Sequence, residues 1–376
     1  KYDYLSLATL DVTSATEIDI NFEADFDDDI WLNNPYVWDT IGSKNTTTLF
    51  QIASDTYKKR MDRLKPRTIE ELAACLALVR GPCISSKLDE VYMQIVEGKR
   101  EIELIHPFYD TVTASTNGVL LYQEQMMQIL VNFGMDLERA FQVMKFAAKK
   151  KQDKLAAAET EYRELANKNN IPEDVATRIW DIMLDTGKYS FNKSHAVAYA
   201  LLCYYTAYLK TYHPLEWMKN SLTNAYDRKE SIAETIQECR RIGIRFLGLD
   251  INKSLWPFAI EDNQLRIGFV AAKGLGKVAY DALEDVRPLT SLKDTMDRVT
   301  SKFNKKAFVV SIFGGAFECF EENRLAVYKE YCELRKEEPL SEIKISKDMI
   351  FKSESSLQDI ETVLYEVAIT SNPVQY

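Results

Sequence analysis

A single apolar helix, predicted over Ser194 to Tyr212, limits the folds open to this chain, because its mouth is crowded with polar side chains. The eight residues Tyr189-Ser-Phe-Asn-Lys-Ser-His-Ala196 set Lys193, Ser194 and His195 at its start. A helix start with free backbone N–H groups, an ammonium, a hydroxyl and an imidazole is a receptor for a polyphosphate. The same residues also suit a Ser194 N-cap followed by a core helix. His195 and Tyr199 are one helical turn apart, so imidazole and phenol share a face. Tyr204, Tyr208 and Tyr212 read as core and interface rings.

The surrounding pattern is mostly helical from Thr46 to Tyr212, with apolar periodicity over Thr68 to Val79, Tyr122 to Phe133, Leu137 to Lys149, Lys150 to Asn167 and Pro172 to Thr186. Arg80-Gly-Pro82 and Thr116-Asn-Gly118 are turn signals. Further helices are expected at Leu215 to Ala225, Glu230 to Ile242 and Lys277 to Leu283, with short strands at Ile244 to Leu247 and Gln264 to Phe269. Residues 1 to 10 alternate like a strand, and an acidic, aromatic linker follows to about Ser43. The fold class expected is therefore mainly α with small β elements.

The formal net charge of −10 argues against a nucleic-acid partner only until its distribution is considered. Ten acids and no lysine or arginine fall within residues 2 to 43, and the remainder is near balance. A basic surface is thus available, and Lys145 to Lys154 is the first candidate. Lys145 and Lys149, at i and i+4, can reach one point, although lysines also suit a helix C-terminus without any ligand. Six cysteines without a Cys-x-x-Cys pair, beside three histidines, argue against a zinc site or a disulfide framework. Without a long apolar run or a cationic leader, the expected location is cytoplasmic, with no membrane partner.

Six short strings, taken in order, resemble one family. They are Lys1-Tyr-Asp-Tyr-Leu5, Thr47-Thr-Leu-Phe-Gln51, Gly118-Val-Leu-Leu-Tyr-Gln-Glu-Gln125, Ala148-Lys-Lys-Lys151, the 189–196 motif and Ala272-Lys-Gly-Leu-Gly276. Each is weak alone; together they are similar to the bacterial replicative family C DNA polymerases, the DNA polymerase III alpha-subunit family. The resemblance implies a multi-helix fingers domain followed by a domain containing a helix-hairpin-helix. It divides the chain into a last palm strand and acidic linker (1–43), fingers (44–225), a DNA-contacting helix-hairpin-helix domain (226–320) and a C-terminal extension toward an oligonucleotide-binding fold (321–376). Because Lys1 falls inside a strand motif, a fragment or one piece of a split enzyme is expected.

What the resemblance implies for chemistry is template-directed addition of a deoxynucleotide to a primer 3′-hydroxyl with two magnesium ions. Asp3 is the implied catalytic and metal-binding carboxylate, and the family's upstream aspartate pair is not in this sequence. Asp19 and Asn21 mimic such a pair but follow the palm strand instead of preceding it, so that stretch reads as an acidic loop. Lys145, Lys149, Lys150, Lys193, Ser194, His195 and Tyr199 are implied to bind the incoming dNTP. The run Met144-Lys-Phe-Ala-Ala-Lys-Lys-Lys151 lacks the family's arginines and so the bidentate fork they offer phosphate.

Arg80, Lys273, Gly274, Gly276 and Lys277 are implied to contact primer-template DNA, the glycines by letting backbone approach phosphate. Tyr122-Gln-Glu-Gln125 is expected to hold neighbouring loops together. A palm-containing segment and a sliding clamp are the implied protein partners, and Ser346-Lys-Asp-Met-Ile-Phe351 has only the apolar half of a clamp peptide. Two other readings remain, a non-catalytic DNA-binding or scaffolding subunit descended from a polymerase and a protein that blocks a host replisome.

Overall fold

A computed structural model of the chain describes residues 7–21, 29–149, 151–187, 190–228, 232–272, 274–338, 345–346 and 366–367. Contacts divide the chain into two units, residues 23–212 and residues 1–22 with 213–376. In chain order the helices are α1 (Ala8–Ile20), then α2 (Asp29–Leu32), α3 (Pro35–Ile41), α4 (Asp55–Leu64), α5 (Ile69–Leu78), α6 (Gly81–Ser85), α7 (Leu88–Val96), α8 (Pro107–Thr113), α9 (Gln123–Asn132), α10 (Leu137–Ala148), α11 (Gln152–Lys168), α12 (Glu173–Gly187) and α13 (Lys193–Tyr212). These are followed by α14 (Pro214–Arg228), α15 (Ile232–Arg241), α16 (Lys277–Glu284), α17 (Leu292–Arg298), α18 (Lys305–Phe313) and α19 (Arg324–Arg335). The mainly helical expectation stands. None of these helices is long and apolar enough to cross a membrane.

The 23–212 unit is organised by α13, which packs on α5 and α3. Small residues make the α5 contact close: Ala73, Ala74, Cys75 and Ala77 on α5, and Ala196, Ala200, Cys203 and Ala207 on α13, are all buried. Thr68 starts α5 by accepting a hydrogen bond from the Glu71 amide. Around α9 to α12 a second core gathers, where the Phe133, Tyr162 and Trp180 rings stack in series with centroids 4.6 and 5.0 Å apart. On the far side α4 is tied to α7 by Arg60, whose guanidinium lies 2.7 Å from the buried Asp89 carboxylate, and by Arg63, which grips Glu90 and Glu97.

In the other unit the N-terminal reading is corrected. Residues 8–20 form a helix, not a strand end followed by linker; within the 23–212 unit, residues 35–41 of the expected linker are helical too. The Thr-rich α1 satisfies its own hydroxyls, Thr13 to Leu10 O and Thr16 to Val12 O, and lays Val12, Thr13 and Thr16 on α14. Asp19 is no acidic loop residue held by solvent: its carboxylate accepts from Lys219 Nζ at 2.6 Å and Asn220 Nδ2 at 2.7 Å. Residues 1–6, with Asp3 among them, lie outside the described residues.

A small sheet in the order β1-β3-β2 joins β1 (Phe246–Leu247), β2 (Ala259–Glu261) and β3 (Gln264–Arg266), parallel between β1 and β3 and antiparallel between β2 and β3. Asp262 and Asn263, both at positive φ, make the two-residue turn between β2 and β3. The predicted strand at Gln264 stops at Arg266, and Phe269–Ala271 turn as a 3-10 helix. A separate strand pair, β4 (Ile345–Ser346) and β5 (Glu366–Val367), lies in the C-terminal extension. None of the six cysteines forms a disulfide; five are buried and Cys319 is exposed.

Across the β2–β3 hairpin, Arg266 clasps both oxygens of Glu261 and holds that carboxyl at about 2, well below its ordinary 4.5. A depressed carboxyl contributes stability above its unfolded value, and loses it as pH falls toward the folded one. Glu261→Gln should therefore be less stable than the parent at pH 6, and the gap in urea midpoint should close between pH 5 and pH 2. A gap that stays constant over that range would contradict the pairing.

Candidate nucleotide and DNA sites

The start of α13 is built by α9. Phe191 forms a parallel bridge with Tyr122: its amide donates to Leu121 O and its carbonyl accepts from Gln123 N, both at 2.9 Å. Gln123 Nε2 donates to Ser190 O at 3.4 Å. Glu124 takes the next two residues, Oε1 accepting from Asn192 Nδ2 at 2.8 Å and Oε2 from the Lys193 amide at 2.9 Å. Buried Gln125 turns inward, accepting from the Leu121 and Tyr122 amides and donating to Val112 O and Thr116 Oγ1. Tyr122-Gln-Glu-Gln125 thus acts as the loop-holding element expected from the sequence.

One expectation about this helix start is corrected. The cap is Asn192, whose Oδ1 accepts from the Ser194 hydroxyl at 2.7 Å and the His195 amide at 2.8 Å. The first-turn donors are therefore not all free: Lys193 N and His195 N are both held by side chains. What the helix presents outward is the exposed Ser194 and the half-buried Lys193, His195 and Tyr199. Among the described residues the Lys193 ammonium has a loose counter-ion in Glu70 at 3.7 Å, a half-buried lysine facing a largely exposed glutamate.

Along this face runs a continuous series of rings. Phe50 lies 5.0 Å from Tyr199, Tyr199 4.1 Å from His195, and His195 meets Phe191 edge-on at 5.4 Å. Arg80, expected among the DNA contacts, has its guanidinium 4.4 Å above the Phe191 ring and so joins this group. Phe50 was not singled out by sequence reasoning, yet the 47–51 string that contains it was. Its backbone N–H donates to buried Thr206 Oγ1 at 3.1 Å, and buried Lys210 donates to Asn45 O and Thr47 O at 2.7 and 2.8 Å. The 45–51 segment is thereby moored along α13.

Lys145 and Lys149 are carried by α10. Both are exposed at the end of α10, which packs on α9, α11 and α12. Lys145 folds back so that Nζ sits 3.9 Å from the Phe141 ring centroid, and Lys149 is the C-cap of its helix. Among the described residues no hydrogen bond, ion pair or ring contact joins either lysine to Lys193, Ser194, His195 or Tyr199. Lys150 lies outside the described residues.

In the second unit, Gly274 adopts φ +102°, a left-handed turn, and a side chain there would run into Lys306 Cε. Gly276 is the extended cap of α16, and no side chain closes that helix start. Lys277 pairs with Asp281 and lies 5.0 Å over the Tyr280 ring, so its charge is partly spent on its own helix. Lys306, exposed on the first turn of α18 and missed in the sequence, brings a cation to the Gly274 turn. The signal was present as Asn304-Lys-Lys306, since Asn304 caps α18. Lys273 lies outside the described residues.

Comparison with known families accords with this arrangement. The bacterial DNA polymerase III alpha subunit finger domain matches residues 5–170, and a helix-hairpin-helix motif matches residues 243–327. The DNA polymerase III subunit alpha of Campylobacter jejuni is 34% identical over 342 residues, covering 87% of this chain and 28% of the relative. That of Pseudomonas aeruginosa is 33% identical, over 85% of this chain and 29% of the relative, and that of Escherichia coli K12 is 32% identical, over 87% and 30%. The chain spans under a third of the length of these curated relatives.

Proposed function

Because the chain belongs to the bacterial DNA polymerase III alpha-subunit family, over its finger and helix-hairpin-helix segments, we propose that it supplies incoming-nucleotide and duplex-backbone contacts for template-directed DNA synthesis. The observation that carries this reading is the outward face of α13. There an ammonium, a hydroxyl and an imidazole lie within one turn, followed by the half-buried Tyr199 ring, which packs on buried Phe50. Lys193, Ser194 and His195 would neutralise and bond the triphosphate, with Arg80 held beside them on Phe191. Tyr199 would position the nucleoside. Lys145 and Lys149 would add positive potential and no direct contact with that turn.

In the second unit, the Gly274 turn, the start of α16 and Lys306 would follow the phosphates of a primer-template duplex without reading its sequence. A palm-containing segment would complete the reaction centre, and a sliding clamp would hold the assembly on DNA. Enzymes of this class take two magnesium ions through carboxylates. Among the described residues no group of three or more His, Cys, Asp or Glu could hold a metal. The described residues therefore do not fit that group, and Asp3 stays a proposal outside them.

Equilibrium binding of a dNTP to the chain tests the reading. Lys193→Ala and His195→Ala should each weaken it by about ten-fold, the loss of one charge-assisted bond. A DNA-binding or scaffolding role alone predicts salt-sensitive duplex binding with no affinity for dNTP.

A further inference from the structure

We propose that Glu124 is a positioning residue for the triphosphate contacts of α13, an inference that rests on the nucleotide reading above. Its two carboxylate oxygens are both committed, one to Asn192 Nδ2 and one to the Lys193 amide. The first of these bonds decides which way the Asn192 amide faces. With its NH2 turned to Glu124, the carbonyl oxygen is left to take the Ser194 hydroxyl and the His195 amide. Glu124 thereby orients the Ser194 hydroxyl and holds the Lys193 and His195 backbone amides that set the first turn, without touching the ligand itself.

Donor and acceptor polarity fixes this arrangement. A glutamine in place of Glu124 has one acceptor and one donor, whereas the two groups facing it are both donors. If that glutamine satisfies Lys193 N, its NH2 meets the Asn192 NH2, and Asn192 must turn over. Turned over, Asn192 offers NH2 to the Ser194 hydroxyl and the His195 N–H, and the cap is lost. An aspartate in place of Asn192 fails alone for the opposite reason, since it puts two carboxylates together. In the double exchange the bond between positions 124 and 192 is remade with donor and acceptor reversed, the Lys193, Ser194 and His195 donors keep an acceptor each, and the net charge is that of the parent.

The test is a four-protein cycle on the full chain with dATP as the probe. Glu124→Gln and Asn192→Asp should each lower dATP affinity about ten-fold, and the Glu124→Gln, Asn192→Asp double variant should return to within about three-fold of the parent. Unchanged or tighter binding in Glu124→Gln, or no recovery in the double variant, would overturn the proposal. Amide hydrogen exchange at Lys193 and His195 gives a ligand-independent reading. Protection of the His195 amide should fall in Glu124→Gln, where Asn192 turns over, and return in the double variant. If the parent fails to bind dATP, the nucleotide reading and the triphosphate role given to Glu124 fall together, while exchange still decides whether Glu124 orients Asn192.

Discussion

Lys210→Met should lower the stability of the chain by about 2–5 kcal/mol, the cost of two charge-assisted hydrogen bonds. Methionine keeps most of the apolar stem, so the loss would come from the ammonium. That group is 5% exposed, at the last turn of α13, and its bonds to Asn45 O and Thr47 O fasten the segment that ends in Phe50. Freeing that segment should also loosen the Phe50 ring against Tyr199, and dNTP affinity should fall with it. Lys149→Met, at an exposed helix end, should stay within about 0.5 kcal/mol of the parent. Urea unfolding of the two variants checks the contrast, and equal midpoints would mean that Lys210 carries no special burden.

Gly268→Ala should be comparably damaging, by about 3 kcal/mol, and in the other unit. A Cβ at 268 would lie 2.3 Å from both the carbonyl carbon and oxygen of Pro257 and 2.5 Å from Trp256 O. Those are backbone atoms, so no side chain can swing aside. The two strands of chain are locked there by Phe269 N to Leu255 O and Val270 N to Trp256 O, both 2.9 Å. Relief must displace the 3-10 turn at Phe269–Ala271, which leads directly into the Gly274 turn. Duplex affinity should fall together with stability. A variant with parental urea midpoint and parental duplex binding would contradict the close approach.

These two positions also mark where the sequence was mute. A lysine in the last turn of a helix normally faces water and favours the dipole, but the carbonyls at 45 and 47, more than 160 residues earlier, make Lys210 an interior anchor. Helices α5 and α9 to α13 were legible because their apolar spacing is strong, whereas α6, α7 and α8, short and set between turn signals, were not. Helix α1 was not, since its β-branched run alternates like a strand and its partner α14 lies about 200 residues away. At the mouth of α13 the sequence reads with Ser194 as the cap, whereas the structure caps the helix with Asn192. Glu124, arriving from α9, decides for Asn192. The loop-holding role of Tyr122-Gln-Glu-Gln125 was readable because its polar groups follow a turn and open a helix. The ring series from Phe50 to Phe191 was not, because it draws on separate segments.

Photocrosslinking with an azido-dATP, followed by peptide mapping, addresses the outward face of α13 most directly. The account predicts label on peptides that contain His195 and Tyr199, or Arg80, and competition by unlabelled dATP. Label confined to the Lys302–Lys306 region, or label that dATP does not displace, would contradict it.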